Sequence, residues 1–350
     1  MKDTNLIIGK KNTGKTKNIL FNEVKKSIKN NENICIFNTR DEYYKTFYNE
    51  LKENNYNILV LNLNDTTKSN GYNPLYVPYL LYKEGKLDLA ISMINDLAVE
   101  IFKSDNSNAD PFWTNMAANY FTGLSLILFK EAKIEEINLG SIQVMMNQGE
   151  EKYIDVTYLK KYLQDIDVMD TTYSLLSPIV FAPTDTKGSI LSVVKQYLNK
   201  YILREQLLNL LNTNEINLKD LEDKTALFII GKDGINDIAN IFINQLIELE
   251  SKKFTYFLDN FDELRKLLSF NNLVKNASYN GNKIFVVVHN EEELKEKYNK
   301  YIIDYFEEII TTSKEDYTNL ELEDNCIYPE LELKNHSYMN FKKFIEENYK

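Results

Sequence analysis

The chain has 350 residues, 43% of them hydrophobic, and a formal net charge of -11; this is enough to fold as one large or two moderate domains and excludes a disordered tail. The acidic balance gives no global signature of nucleic-acid binding, so any DNA contact has to be local. Two histidines, His289 and His336, exclude a histidine-rich metal site, and two cysteines, Cys35 and Cys326, exclude a disulfide framework and fit a reducing compartment.

The first segment alternates strand and helix patterns: "NLIIG", Lys15 to Lys29, "NICIFN", Asp41 to Leu51, "NILVLNL". That βαβαβ order predicts a parallel sheet covered by helices. After the turn signal "SNGYNPL" at residues 69 to 75 the strand signal disappears, and from about Lys86 to Leu211 the spacing is mainly helical. The longest apolar run, near Tyr120 to Phe129, falls well short of the roughly 20 residues a spanning helix needs. No signal-peptide pattern opens the chain, so a cytoplasmic protein is expected.

Strand signal returns at "TALFIIG" (225 to 231), "FTYFLD" (254 to 259) and "KIFVVVH" (283 to 289), with helix patterns at Asn236 to Leu249 and Glu263 to Ala277. The expectation is one α/β domain built from residues 1–85 and 212–350, with an inserted all-α domain at 86–211. The stretch from about Tyr301, with "EEIITT", acidic "NLELEDN" and a Lys-rich end, has no assigned role.

Residues 9 to 16, "GKKNTGKT", match G-x-x-x-x-G-K-[ST] between a strand and a helix. A loop of this length wraps phosphates with backbone N–H groups, and Gly9 and Gly14 allow the close approach. Lys15 is placed to reach the β and γ phosphates and Thr16 to put its hydroxyl on Mg²⁺, at a helix start whose dipole favours the anion. Asn12 and Thr13 complete the loop; Lys10 and Lys11 read equally as solvated. A metal-positioning acid is expected at a neighbouring strand end, and Asp259 of "KFTYFLDNFDEL" fills that place. Position 260 is Asn, which orients a water but cannot take its proton; Glu263 either acts after a register shift or caps a helix with Asp262.

Several ordered stretches resemble the type IV secretion and conjugation coupling proteins, P-loop ATPases that bring DNA or protein cargo to a secretion channel. They are the phosphate loop, "CIFNTRDEYYKTFYNELKENNYNILVLNLND", "SNGYNPL", "DPFWTNMAANYFTGLSLILF", "KGSILSVVKQYLNKY", "DIANIFINQLIEL", "FLDNFDEL" and "VVVHNEEELKEKYNK". The resemblance covers most of the chain. It implies a RecA-like P-loop NTPase domain that binds ATP with Mg²⁺ between the subunits of a hexamer, with DNA in a central channel. Its implied partners are DNA and relaxosome or secretion-channel proteins.

The chain departs from the family pattern at several places. The amino-terminal transmembrane pair is absent, which implies membrane recruitment only through a partner. The second-strand acid is Asn38, the strand-end glutamate is Asn260, and the sensor glutamine is His289. His289 reads either as a donor to the γ phosphate or as a satisfied strand-end histidine. An arginine finger can only be Arg40, Arg204 or Arg265, and Arg265, just past the acidic strand end, is the first choice beside its reading as a helix-surface charge. Trp113 reads as packing at a helix start. The leading expectation is an ATP-driven coupling protein of a conjugative or type IV DNA-transfer system. The alternatives are a hydrolysis-poor nucleotide-binding adaptor of the same family and an unrelated P-loop NTPase for DNA partitioning or packaging.

Overall fold

The computed structural model describes residues 2–103, 110–231, 236–313 and 326–349. The chain forms two compact units, Met1–Asn70 with Ile216–Leu331 and Gly71–Glu215 with Glu332–Lys350. In chain order, β1 (Thr4–Gly9) leads through a loop into a wide-wound π turn, Lys15–Leu20, and α1 (Phe21–Lys29). Then come β2 (Ile34–Asn38), α2 (Glu42–Glu53) and β3 (Asn57–Asn62). The second unit opens with α3 (Tyr76–Lys83), α4 (Leu87–Phe102), α5 (Pro111–Glu131) and α6 (Leu139–Gly149). It continues with the two-residue strands β4 (Lys152–Tyr153) and β5 (Val156–Thr157), then α7 (Tyr158–Asp165), α8 (Thr171–Val180), α9 (Thr184–Ile202) and α10 (Glu205–Leu211). The first unit resumes with β6 (Thr225–Ile230), α11 (Asn236–Leu249), β7 (Thr255–Leu258), α12 (Phe270–Asn280), β8 (Lys283–Val288), α13 (Glu291–Lys297) and β9 (Glu308–Thr312). Finally α14 (Phe341–Asn348) belongs to the second unit.

The first unit is a seven-stranded parallel sheet in the order β3-β6-β2-β7-β8-β1-β9. Its inner strands are near-continuous apolar runs because a parallel sheet is covered on both faces. Phe257 of β7 lies in register with Ile36 of β2 and Phe285 of β8. The Phe257 and Phe285 rings stack at 5.0 Å, and Phe21, Val24, Tyr43 and Phe47 from α1 and α2 join the same buried cluster. β1 and β2 are consecutive in sequence but have β8 and β7 between them. That reversal opens a crevice at the carboxyl ends of the strands, where ligands of such sheets bind.

Among the described residues the second unit is helical apart from the β4–β5 hairpin. Its centre is α5, buried almost continuously from Ala117 to Phe129, as a helix packed on all sides must be. "DPFW" is its start signal: the Asp110 side chain accepts the Phe112 N–H and Pro111 occupies the first turn. Trp113 is half-buried, edge-on to Phe112. A Cβ on Gly123 would lie 2.5 Å from Leu176 of α8, so this glycine lets the two helices approach closely.

Boundaries differ from the sequence reading in instructive ways. The compact units divide at 70/71 and 215/216 instead of 85/86 and 211/212, because α3 packs on α4 and α5. Residues 332–350, read as part of the nucleotide-binding segment, lie in the helical unit, where Phe341 and Ile345 are fully buried. The helix expected from Glu263 begins only at Phe270, since Leu264 and Leu267 enter the core within a loop and the Leu267 N–H bonds Tyr298 Oη at 2.9 Å. "EEIITT" supplies β9, an edge strand parallel to β1, while "NLELEDN" lies outside the described residues. Among the described residues no helix is long and apolar enough to cross a membrane.

Candidate nucleotide site

Gly9 ends β1 directly against β9: a Cβ there would sit 2.1 Å from Thr312 Oγ1 and 2.8 Å from the Thr312 carbonyl. Asn12 (φ 60°) and Gly14 (φ 73°) are left-handed, the backbone that lets a short loop curl its N–H groups around an anion. Thr13 Oγ1 lies 2.9 Å from the Lys10 carbonyl, to which it can donate, and 2.7 Å from Thr312 Oγ1, so β9 braces the loop from one side.

Lys15 is buried and donates from Nζ to the Gly9 carbonyl and, at 2.6 Å, to the Lys10 carbonyl. Burial lowers its pKa, opposed by the attraction of Asp259 and Asp262. The ammonium is thus held on the loop's own oxygens, in reach of any anion the loop encloses.

Asp259 follows β7 and is 1% exposed. Its N–H bonds the Phe37 carbonyl at 3.0 Å, extending the β2–β7 ladder by one residue and fixing the carboxylate at the strand ends. Thr16 Oγ1 donates to Asp259 Oδ2 at 2.7 Å, Tyr43 Oη to the same oxygen at 2.9 Å, and the Asn260 N–H to Oδ1 at 2.9 Å. Burial raises the Asp259 pKa against these hydrogen bonds and the attraction of Lys15. A hydroxyl paired with such a carboxylate fits Mg²⁺. Among the described residues no group of three or more His, Cys, Asp or Glu could hold a metal, so phosphate and water oxygens would complete the shell, as this ion prefers.

Asn260 is left-handed (φ 51°), a backbone Asn tolerates better than Glu. Its Nδ2 donates to Asn38 Oδ1 at 2.8 Å, and Asn38 Nδ2 donates to Glu42 Oε1 at 2.6 Å. At the end of β8, His289 Nδ1 meets Asp262 Oδ2 at 2.5 Å, and the His289 backbone N–H reaches the same oxygen at 3.3 Å. That contact fixes the ring through Nδ1 and leaves Nε2 for a ligand.

These groups share one cavity of about 260 Å³, lined by Lys11, Asn12, Thr13, Gly14, Lys15, Thr16, Lys17, Thr39, Arg40, Glu42, Asp259, Asn260 and His289. Gly9 and Lys10 act beneath it through their carbonyls. Arg265 is half-buried with contacts of its own and is not in the lining. The Glu263 side chain lies outside the described residues. Sequence reasoning did not reach Tyr43, Glu42 or Thr312, and it left Asp262 as a helix-start acid.

A family model described as Type IV secretory system Conjugative DNA transfer matches residues 10–308. The chain belongs to this family. Solved structures similar in fold include the plasmid coupling protein TrwB in complex with the non-hydrolysable ATP analogue ADPNP, at 11% identity and TM-score 0.59, covering 88% of this chain and 70% of that one. TrwB in complex with ADP and Mg²⁺ matches at 12% identity and TM-score 0.61, with 88% and 70% covered. TrwB with the GTP analogue GDPNP matches at 12% and 0.59, with 87% and 67% covered. At these identities the likeness establishes the RecA-like fold with its helical unit. No curated protein matches the chain. Membership sets aside the reading as an unrelated partitioning or packaging NTPase.

Proposed function

We propose that the chain is the nucleotide-driven coupling ATPase of a conjugative DNA-transfer system, binding ATP with Mg²⁺ at the cleft between β1 and β7. The observation that carries this reading is the juxtaposition of Lys15, Thr16 and Asp259, which puts a phosphate-binding ammonium and a metal-binding hydroxyl and carboxylate in one lining. Binding of TrwB to ATP and GTP analogues and to ADP with Mg²⁺ is in keeping with it.

In this reading the loop from Gly9 to Thr16 wraps the phosphates, and Lys15 exchanges its carbonyl partners for β and γ oxygens. Thr16 and Asp259 hold Mg²⁺, which neutralises phosphate charge when bound. His289, its ring oriented by Asp262, turns Nε2 to the γ phosphate in place of the family's glutamine and donates to it when both ring nitrogens carry protons. Asn260 orients water. Arg40 is exposed at the cleft and complements phosphate charge from the same subunit, so a finger supplied by a neighbouring subunit would be Arg204 or Arg265. The partners are DNA, the relaxosome and the secretion channel, with assembly into a hexamer and membrane attachment through a partner on the cytoplasmic side. In this reading the sheet unit handles nucleotide and the helical unit meets cargo or channel.

The test is ATP hydrolysis and oligomer mass, with and without single-stranded DNA, for the wild type and Lys15→Ala. Mg²⁺-dependent turnover that the substitution lowers at least about 100-fold is expected; equal rates for the two proteins would refute the reading. The Asn at position 260 favours one second reading, an adaptor that binds nucleotide with little turnover. Tight binding with background hydrolysis in the wild type would select it.

A further inference from the structure

We propose that Glu42 takes the proton from the attacking water, an assignment that rests on the nucleotide-hydrolysis reading above. The strand-end place after Asp259 holds an amide, and an amide has no useful proton affinity. The cleft nevertheless contains a second carboxylate. The short turn between β2 and α2 brings Glu42, the first residue of α2, into the same lining as Lys15, Thr16 and Asp259.

The hydrogen bonds give this carboxylate a defined place. Asn260 Nδ2 donates to Asn38 Oδ1 at 2.8 Å, the Thr39 N–H donates to that oxygen at 2.7 Å, and Asn38 Nδ2 donates to Glu42 Oε1 at 2.6 Å. Both ends of the Asn38 amide are therefore fixed, and donors run in one direction from Asn260 to Glu42. The carboxylate ends the chain, and among the described residues Oε2 has no hydrogen-bond donor. Asn38, where the family carries an acid, ties the strand end of β7 to the first turn of α2. Burial raises the Glu42 pKa, with Asn38 and Arg40 opposing and Asp259 reinforcing the shift; a raised value suits a group that must accept a proton. Of the other groups in the lining, Asp259 is taken up by the Thr16 and Tyr43 hydroxyls, and His289, tied to Asp262 through Nδ1, spends Nε2 on the γ phosphate in the reading above.

In the proposed step the substrates are a nucleoside triphosphate and water. The water oxygen bonds to the γ phosphorus while Glu42 takes one of its protons, with Asn260 orienting the water. The bond from the γ phosphorus to the bridging oxygen breaks, and its electron pair leaves with the diphosphate. Glu42 then returns the proton to the released phosphate or to solvent.

The experiment compares kcat and the Kd of a fluorescent non-hydrolysable ATP analogue for the full chain, Glu42→Gln, Glu42→Asp and Lys15→Ala. Glu42→Gln keeps the shape and the acceptor for Asn38 but loses the base. Its kcat is expected to fall roughly 100-fold or more, with the analogue's Kd within about threefold of wild type, while Glu42→Asp keeps turnover at least about tenfold above Glu42→Gln. Wild-type kcat in Glu42→Gln, Glu42→Gln outperforming Glu42→Asp, or parallel loss of affinity and turnover would each overturn the assignment. A wild type that binds the analogue but hydrolyses no faster than Lys15→Ala also overturns it, with nucleotide binding left standing. A wild type that does not bind defeats the underlying reading instead.

Discussion

Tyr43 helps to hold the metal-side acid in place, since its hydroxyl and that of Thr16 both bond one oxygen of the buried Asp259 carboxylate. Burial, reinforced by Asp259, pushes the phenol pKa well up, so it stays a donor. Tyr43→Phe keeps the ring that packs edge-on against Phe21 and removes that donor. The expected cost is about 1–3 kcal/mol of stability, read by urea unfolding, together with a several-fold weaker Mg²⁺ dependence of nucleotide binding. An unchanged Mg²⁺ titration would show that Thr16 and the Asn260 N–H position the carboxylate without the Tyr43 hydroxyl. The loop and Asp259 were legible in the sequence because they are local: spacing and a strand end suffice. Tyr43 and Glu42 were not, because their place depends on β2 lying beside β7, a long-range pairing that no local pattern encodes. Likewise Asp262 looked like a helix-start acid until the loop before α12 turned it toward His289.

At the scale of elements, the sheet is fastened at its amino ends as well as at the site. Glu32, just before β2, accepts from Thr255 at the start of β7 (2.8 Å) and from Lys283 at the start of β8 (2.5 Å), so one carboxylate spans three adjacent strands. Burial opposes its ionisation, yet hydrogen bonds from Lys283, Thr255 and Ser27 prevail and hold its pKa below the ordinary 4.5. A depressed folded-state pKa contributes stability that is present above the unfolded value and lost as pH falls through the folded one. Glu32→Gln is therefore expected to cost about 1 kcal/mol at pH 7, a figure kept small because Lys283 is 41% exposed. The difference from wild type should shrink as pH drops below 4.5, and a pH-independent difference in denaturant unfolding would exclude the charge as its source. The strands of this sheet were readable as apolar runs bounded by turn residues. β9 escaped because an edge strand with alternate exposure carries only five residues of weak pattern, and the late start of α12 escaped because core leucines in a loop mimic helical spacing.

For the molecule as a whole, the two units have separate cores, and residues 332–350 complete the helical one. Phe341 and Ile345 are fully buried, the Met339 N–H bonds Ser141 Oγ at 3.0 Å, and Asn138 Nδ2 donates to the Ser337 carbonyl at 2.9 Å. Phe341→Ala is expected to lower the stability of the helical unit by about 3–5 kcal/mol, while the ATP analogue's affinity stays within about twofold of wild type. Calorimetry with a parallel binding titration reads both, and a matching loss of affinity would contradict the independence of the two cores.

That return of the chain governs how the protein is made. The sheet unit lacks β6 to β9 until long after β1 to β3 have emerged, and the helical unit waits for α14, which is translated last of all its helices. At roughly 5–20 residues per second, α4 and α5 wait on the order of 5–20 seconds for α8 and α9, which pack on them. Synthesis order thus leaves their apolar faces uncovered for a time during translation, and slower translation lengthens that exposure.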